Sequence, residues 1–175
     1  GVLPLWLALR SADRTVEGVD VDGVKVDQGR AAARSAGLGG RVTLTRIEPD
    51  WVPPAGTYDA AVVSDVLYVL GGERAEQVLA ALAASVVPGG VVVVEETSLT
   101  PGWHFRLARL QETVSVRLLG LTDATTIDFV PVEVVETRLR EAGLRVTSRR
   151  LSPWRLHPQF VVVGRRPAAA LNGST

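Results

Sequence analysis

The sequence predicts an α/β fold in which a mostly parallel, doubly wound sheet carries helices on both faces and ends in an antiparallel strand. Between residues 15 and 96, strand-like apolar runs alternate with segments of helical spacing, an order that is typical of a parallel sheet. Residues 144–151 and 159–166 also have the pattern of strands, and only the short link 152–158 separates them. Because a helical crossover needs about a dozen residues or more, we expect these two strands to run antiparallel to each other.

The first elements follow from apolar spacing and from glycine and proline. Residues 2–10 are apolar nearly all round and carry proline in the first turn, which predicts a buried helix. A short strand over 15–20 and an alanine- and arginine-rich helix over 24–38 follow, and two glycines end that helix. Residues 41–47 alternate between apolar and polar side chains, which predicts a second strand.

The middle of the chain continues the alternation. Residues 58–65 have a continuous apolar centre, as expected of a strand that is buried on both faces. Apolar residues at helical spacing predict a helix over 73–87, which closes at the tripeptide PGG and leads to a strand over 90–96.

The remaining segments complete one predicted domain. Residues 103–120 can form an amphipathic helix, 122–129 have the composition of a loop, and 131–144 predict a helix with proline near its start and glycine near its end. A chain of 175 residues suits a single core, and no linker or repeat divides it. We therefore expect one domain over 1–166 and a disordered tail over 167–175.

Composition limits the classes of function. Basic and acidic residues both number 19. The sequence contains no long run of charges of one sign, which would predict a nucleic-acid or membrane-surface partner. No apolar run reaches the roughly 18 to 20 residues that a membrane span needs. The chain has no cysteine and two distant histidines, so we expect no disulfide, no thiolate nucleophile and no metal site. This composition fits a cytoplasmic protein.

The carboxyl ends of the predicted strands are the places to look for a ligand, because open α/β sheets bind ligands there. Asp20 ends the first predicted strand, and its two carboxylate oxygens can accept both hydroxyls of a ribose. Asp50 and Trp51 follow the next strand and offer a polar acceptor and an aromatic face to an adenine ring. Plainer interpretations stay open. Trp51 can close a loop over the core, and Asp22 and Asp65 suit helix caps.

Three segments, GVDVDG, YDAAVVSDVLYVL and LAALAASVVPGGVVVVEE, resemble in their order the class I S-adenosylmethionine-dependent methyltransferases. The resemblance covers residues 1–166 and implies a seven-stranded sheet with an antiparallel last strand. It also implies S-adenosylmethionine as the cofactor and methyl transfer to a small, fairly apolar acceptor. The identity of the acceptor and the oligomeric state, a homodimer included, stay open.

The resemblance also implies which residues hold the cofactor. Asp20 would bind the ribose hydroxyls, and Val21 would lie beside the adenine. Asp50, with Trp51 next to it, would contact the adenine amino group, and Ser64 and Asp65 would face the methionine moiety or the substrate.

One part of the family pattern is missing from the sequence. In the family, the first strand ends in a loop of the form D-x-G-x-G-x-G, and Gly1 resembles the last glycine of that loop, running into the helix behind it. Methionine is absent, even from position 1. We therefore expect an upstream segment that carries the first strand and the rest of the loop.

Three residues are candidates for a general base, which a hydroxyl acceptor needs and a neutral amine does not. Asp65 and Glu96 end predicted strands, and His104 lies just beyond one. An alternative for His104 is the packed start of a helix. The segment between residues 98 and 130 is predicted to form an apolar acceptor pocket, and its lining residues would be Trp103, Phe105, Leu107, Leu110 and Phe129.

Other functions compete with transfer to a small molecule. The sequence SDVL stands where methyltransferases that act on nucleic-acid bases have an N-P-P-Y-like tetrad. This difference counts against the exocyclic amines of nucleic-acid bases as methyl acceptors. An NAD(P)-dependent reductase would also place an acid after its second strand, but an antiparallel last strand would favour the methyltransferase. A non-catalytic methyltransferase-like scaffold or partner domain is a further alternative.

Overall fold

The computed structural model describes residues 1–97, 130–151 and 159–169, and the chain forms two compact units, Gly1–Trp51 and Val52–Thr175. We call them the N-terminal unit and the C-terminal unit. In chain order, the described helices and strands are α1 Val2–Leu9, β1 Val16–Asp20, α2 Gly23–Ser35, β2 Val42–Arg46, β3 Tyr58–Ser64, α3 Leu67–Leu70, α4 Gly72–Ser85, β4 Val86–Thr97, α5 Val132–Glu141, β5 Arg145–Arg150 and β6 Gln159–Arg165.

Every helix and strand that the sequence predicts within the described ranges is present, but two predictions of burial are wrong. In α1, Ala8 is buried, whereas Val2, Trp6 and Leu9 are more than half exposed. Strand β3 is not buried on both faces, since Val62 is 38% exposed.

The predicted helix over 103–120, the loop over 122–129 and the link 152–158 lie outside the described residues. The predicted domain limits, 1–166 with a tail from 167, stay a prediction.

The N-terminal unit is a parallel strand pair with its helices on one face. Val16 of β1 lies opposite Val42 of β2, and Asp20 lies opposite Arg46 at the carboxyl ends. Helix α2 makes the crossover between the two strands, as a parallel pair requires. The buried side chains of this unit form one cluster: Ala8, Val26, Ala33, Leu38, Val42 and Leu44.

A glycine in the middle of β1 lets α1 pack closely on the strands. A Cβ atom at Gly18 would lie 2.8 Å from Cγ of Pro4 in α1 and 2.6 Å from Cδ2 of Leu44 in β2. Both distances are too short for real carbon contacts. A side chain at position 18 would therefore push α1 away from the strands.

The C-terminal unit contains a mixed sheet with the strand order β3-β4-β6-β5. Strands β3 and β4 are parallel, whereas β6 runs antiparallel to both β4 and β5. The predicted antiparallel arrangement of the last two strands is confirmed. An antiparallel last strand is also the feature that favours the methyltransferase over the reductase.

Helices α4 and α5 cover one face of this sheet and contact each other. Arg138 of α5 bonds to Glu76 of α4 across that contact at 2.6 Å. The core between helices and sheet is apolar. Burial of each fully buried valine, leucine or phenylalanine stabilises the fold by about 1.5 to 3 kcal/mol. The buried residues of this core include Ala61, Val63, Leu79, Val92, Val94, Val135, Leu139, Phe160 and Val162.

Strand β4 begins earlier than predicted. The preceding helix was expected to reach Val87, but it ends before Val86, so that PGG lies inside the strand. Parallel pairing with β3 is irregular there and shifts register between Tyr58 and Ala60.

Two glycines make this irregular start of β4 feasible. Gly89 has a φ of 85°, which suits glycine better than any other residue. A Cβ atom at Gly90 would lie 2.8 Å from the carbonyl oxygen of Val87 and 3.0 Å from that of Asp59. PGG therefore serves a bulge in the sheet rather than the end of a helix.

Within the described ranges, no helix has the length and apolar character needed to cross a membrane. Nor do three or more histidine, aspartate or glutamate side chains in those ranges form a group that could hold a metal ion. The cytoplasmic location stays a prediction.

Candidate functional site

Asp20 is fixed at the carboxyl end of β1. Its carbonyl oxygen accepts the N–H of Ile47 at 3.0 Å, and its Oδ1 accepts the N–H of Asp22 at 2.9 Å. No donor among the described residues contacts Oδ2 of Asp20. The half-buried carboxylate is therefore held by one oxygen, and the other oxygen remains available to a ligand.

Asp22 has a different task, because it is the N-cap of α2. Its Oδ1 accepts the N–H groups of Val24 at 2.9 Å and Lys25 at 3.2 Å, which satisfies two donors at the start of the helix. The interpretation of Asp22 as a cap is confirmed. Between the two acids, the side chain of Val21 is 52% exposed and offers an apolar surface next to Asp20.

The other predicted contacts of the N-terminal unit lie at its loops. Asp50 is exposed and Trp51 is half-buried after β2, in a turn where the N–H of Trp51 donates to the carbonyl of Glu48 at 3.1 Å. Gly1 is exposed and is the N-cap of α1. A Cβ atom at Gly29 would lie 3.4 Å from the Cα of Gly1, so the N-terminus of α1 packs closely on α2.

In the C-terminal unit, five polar residues meet where β3 and β4 end. We call them the β3–β4 end cluster: Ser64, Asp65, Glu95, Glu96 and Thr97. Ser64 lies opposite Glu95 in the parallel pair, and its hydroxyl donates to Oε2 of Glu95 at 3.0 Å. The structure thus brings together Ser64, Asp65 and Glu96, three of the residues predicted from the sequence.

Asp65 is exposed and has an unusual backbone. Its φ is 51°, in the left-handed region that residues other than glycine seldom adopt. Its N–H donates to the carbonyl of Glu95 at 3.0 Å, and its Oδ1 accepts the hydroxyl of Thr97 at 3.3 Å. The carboxylate is thereby held at the surface, where it can accept a proton or bind a cationic group.

The interpretation of Asp65 as a helix cap is wrong. Val66 is the N-cap of α3 and has no side-chain cap bond. Oε1 of Glu96 instead accepts the N–H of Val66 at 2.9 Å and the N–H of Leu67 at 2.7 Å. A neighbouring strand therefore provides the cap that the local sequence lacks.

Glu96 is a buried acid, with only 2% of its surface exposed. Burial raises its pKa, the N–H groups of Leu67 and Val66 oppose that rise, and the nearby carboxylates of Asp65 and Glu95 add to it. Since both amide bonds go to one oxygen of a buried group, the geometry suits a structural anchor better than a base.

Sequence reasoning missed the part that Glu95 and Thr97 play in this cluster. Strand periodicity could have found it, because residues two apart on a strand point to the same face. Glu95 and Thr97 share one face of β4 and hold Ser64 and Asp65, whereas Glu96 lies on the opposite, buried face.

His104 and the predicted acceptor pocket lie outside the described residues. The roles of His104, and of the lining residues between 98 and 130, therefore stay predictions.

No family model matches the chain, and no curated protein matches it in sequence. Solved structures do match it. An O-methyltransferase family protein from Burkholderia thailandensis is 21% identical, with a TM-score of 0.68 over 93% of this chain and 47% of that one. The [4+2]-cyclase SpnF is 17% identical, with a TM-score of 0.68 over 94% of this chain and 71% of that one.

A third match is the magnesium protoporphyrin IX methyltransferase from Synechocystis PCC 6803, solved with bound SAH. It is 20% identical, with a TM-score of 0.68 over 94% of this chain and 68% of that one. The chain spans about half the length of the Burkholderia protein. The mixed sheet with its antiparallel last strand agrees with these structures. The chain therefore has the fold of the class I S-adenosylmethionine-dependent methyltransferases.

Proposed function

We propose that the protein transfers a methyl group from S-adenosylmethionine to a small acceptor. The observation that carries this proposal is Asp20, which ends a parallel strand and keeps one carboxylate oxygen without a donor among the described residues. A carboxylate in this position can accept the hydroxyls of a ribose, and S-adenosylmethionine carries a ribose. The fold that the chain shares with a methyltransferase solved with SAH supports the choice of cofactor.

For the N-terminal unit, we propose contacts to the adenosine part of the cofactor. Asp20 would bind the ribose, and the exposed side chain of Val21 would cover one face of the adenine. Asp50 and Trp51 would contact the adenine edge, since they follow the neighbouring strand. Gly1 would approach the cofactor by its backbone, because a side chain there would add bulk at the start of α1.

For the C-terminal unit, we propose that Ser64 and Asp65 face the methionine moiety. The exposed carboxylate of Asp65 suits the ammonium group of that moiety, because opposite charges attract. The hydroxyl of Thr97 orients this carboxylate. For a hydroxyl acceptor, the proposed general base is His104, or Asp65 where its carboxylate faces the acceptor instead of the ammonium group.

The chemistry asks little more of the protein than alignment. S-adenosylmethionine supplies a methyl group on a sulfonium, which is ready for in-line displacement. The side chains of the protein bind the cofactor, orient the acceptor and exclude water. We propose a small and fairly apolar acceptor, in line with the aromatic and aliphatic residues between 98 and 130.

The test of this function uses methyl-labelled S-adenosylmethionine and a cell extract that is divided by dialysis. Methyl transfer to a small molecule predicts that label enters the dialysable fraction and that S-adenosylhomocysteine forms with it. Label in the macromolecular fraction would replace the small acceptor with a protein or a nucleic acid. If S-adenosylhomocysteine forms with neither fraction, the protein is not a methyltransferase of these extracts, and a different use of the fold, as in the cyclase, becomes the better explanation.

A further inference from the structure

Glu96 is a buried carboxylate that the proposed transfer of a methyl group does not use directly. Its surface is 2% exposed, and its Oε1 accepts the amides of Val66 at 2.9 Å and Leu67 at 2.7 Å. Burying a carboxylate is unfavourable unless hydrogen bonds compensate for the lost water. The turn that receives these two bonds is therefore the place to look for the role of Glu96.

That turn has little local reason to keep its shape. Helix α3 has four residues, and its N-cap, Val66, offers no side-chain bond. A helix this short is not stable by itself. Asp65, directly before Val66, has a φ of 51°, a left-handed conformation that residues with a Cβ atom seldom adopt and that aspartate adopts more often than most. Such a conformation persists only where the surroundings hold it.

Strand β4 holds three consecutive amides of this turn. The N–H of Asp65 donates to the carbonyl of Glu95 at 3.0 Å, and the next two N–H groups donate to Glu96. The hydroxyl of Thr97 donates to the Asp65 carboxylate at 3.3 Å, and the side chain of Leu67 is fully buried. The position of the Asp65 carboxylate therefore depends on β4.

We infer that Glu96 is a positioning residue, whose carboxylate fixes the turn 64–67 so that Ser64 and Asp65 bind the methionine moiety. This inference rests on the proposed function, because it gives Glu96 a task in the binding of S-adenosylmethionine. Glu96 acts through Asp65 and not on the acceptor itself.

Two variants of similar size separate the effect of the oxygen that accepts the two amide hydrogen bonds from the effect of side-chain volume. Glu96→Gln keeps an oxygen that can accept both amides, whereas Glu96→Met fills the same space without one. The probes are S-adenosylhomocysteine and 5′-methylthioadenosine, which retains the adenosine but lacks the amino-acid end. Calorimetry with the wild type and both variants gives the six dissociation constants, and circular dichroism shows whether each variant is folded.

The inference predicts a selective loss. Glu96→Met should bind S-adenosylhomocysteine about tenfold more weakly than the wild type, because two amides lose their partner and the turn moves. Glu96→Gln should stay within about threefold of the wild type, and 5′-methylthioadenosine should bind all three proteins within the same range. Equal affinity of both variants for S-adenosylhomocysteine would overturn the inference. So would an equal loss for both probes, since that would reflect damage to the whole site.

Failure of the proposed function gives a different result from failure of the inference. If the wild type binds neither probe, the choice of cofactor is wrong. If the wild type and Glu96→Met bind S-adenosylhomocysteine with the same affinity, the cofactor stands and only the inference fails. Amide hydrogen exchange of the wild type provides a second test, which does not depend on whether the variants fold. The amides of Val66 and Leu67 should be as protected as those within β3, and exchange at the rate of an unfolded peptide would show that Glu96 does not hold the turn.

Discussion

The backbone N–H of Asp22 donates to Oδ1 of Asp20 over 2.9 Å, while the carboxylate of Asp22 itself turns to the first amides of α2. Two acids that are separated by one residue thus have separate tasks. Asp20 is the candidate ribose ligand, and Asp22 begins a helix. Because the bond between them uses the backbone of Asp22, substitutions at the two positions should have separable effects.

Asp22→Ala should lower the free energy of unfolding by about 1 kcal/mol, because α2 loses its N-cap. Cofactor affinity should change little, since the N–H that holds Asp20 remains. Urea denaturation and calorimetry measure the two quantities. Asp22→Asn is the control, as asparagine caps helices as well as aspartate does. A loss of affinity as large as that of Asp20→Ala would show that Asp22 also contacts the ligand.

Gly90→Ala should destabilise the protein by about 1 to 3 kcal/mol, because its Cβ would lie against two backbone oxygens that cannot move aside without a shift of the sheet. Those oxygens belong to Val87 and Asp59, at 2.8 Å and 3.0 Å. Gly40→Ala is the matched control, since a Cβ at Gly40 would meet nothing within 4 Å. Urea midpoints that fall equally for both variants would contradict the bulge at PGG.

The stability of the protein relative to Glu96→Gln should fall as the pH rises. Burial raises the pKa of Glu96 in the folded protein, against the opposing amides of Leu67 and Val66. A group with a raised folded pKa contributes stability that is complete below its ordinary pKa and is lost as the pH rises through the folded pKa. Urea denaturation of both proteins from about pH 4 to about pH 8 measures this difference. A difference that grows with pH would contradict the raised pKa.

Glu136 should show the opposite pH dependence. Hydrogen bonds from Ser148 and Arg140 lower its pKa, and the Arg140 guanidinium lies 2.8 Å from its Oε2. The stability relative to Glu136→Gln should therefore be present above the ordinary pKa of glutamate and disappear as the pH falls through the lowered pKa. A denaturation series of both proteins from about pH 2 to about pH 7 measures it, and a stability difference that does not shrink as the pH falls below the ordinary pKa of glutamate would contradict these bonds.

Local patterns were enough to predict much of the fold. The spacing of apolar residues predicted every described helix and strand except the short α3, and the link 152–158 predicted the antiparallel pair β5 and β6. Asp22 could be separated from Asp20 because a helix cap is a contact with residues two and three further along.

Contacts between distant parts of the chain could not be predicted in this way. PGG has the local appearance of a helix end, but its second glycine is needed because of Asp59, a residue of the neighbouring strand. Asp65 has the local appearance of a cap, but the amides that it would cap bind Glu96 from β4. In both cases the deciding partner comes from another strand, and spacing along one segment contains no information about it.

The ribose contact of Asp20 is the basis of the proposed function. Asp20→Ala should weaken the binding of S-adenosylmethionine by about 1 to 3 kcal/mol, the usual loss when hydrogen bonds to a charged group are removed. Asp27→Ala is the control, because Asp27 is an exposed acid of α2 in the same unit, and it pairs with Arg30 at 3.2 Å.

Calorimetric titration of S-adenosylmethionine into the wild type, Asp20→Ala and Asp27→Ala is the most direct test. We expect saturable binding by the wild type and by Asp27→Ala, and clearly weaker binding by Asp20→Ala. Equal affinity of all three proteins, or no binding by the wild type at high micromolar cofactor, would contradict the assignment of Asp20 and with it the proposed cofactor.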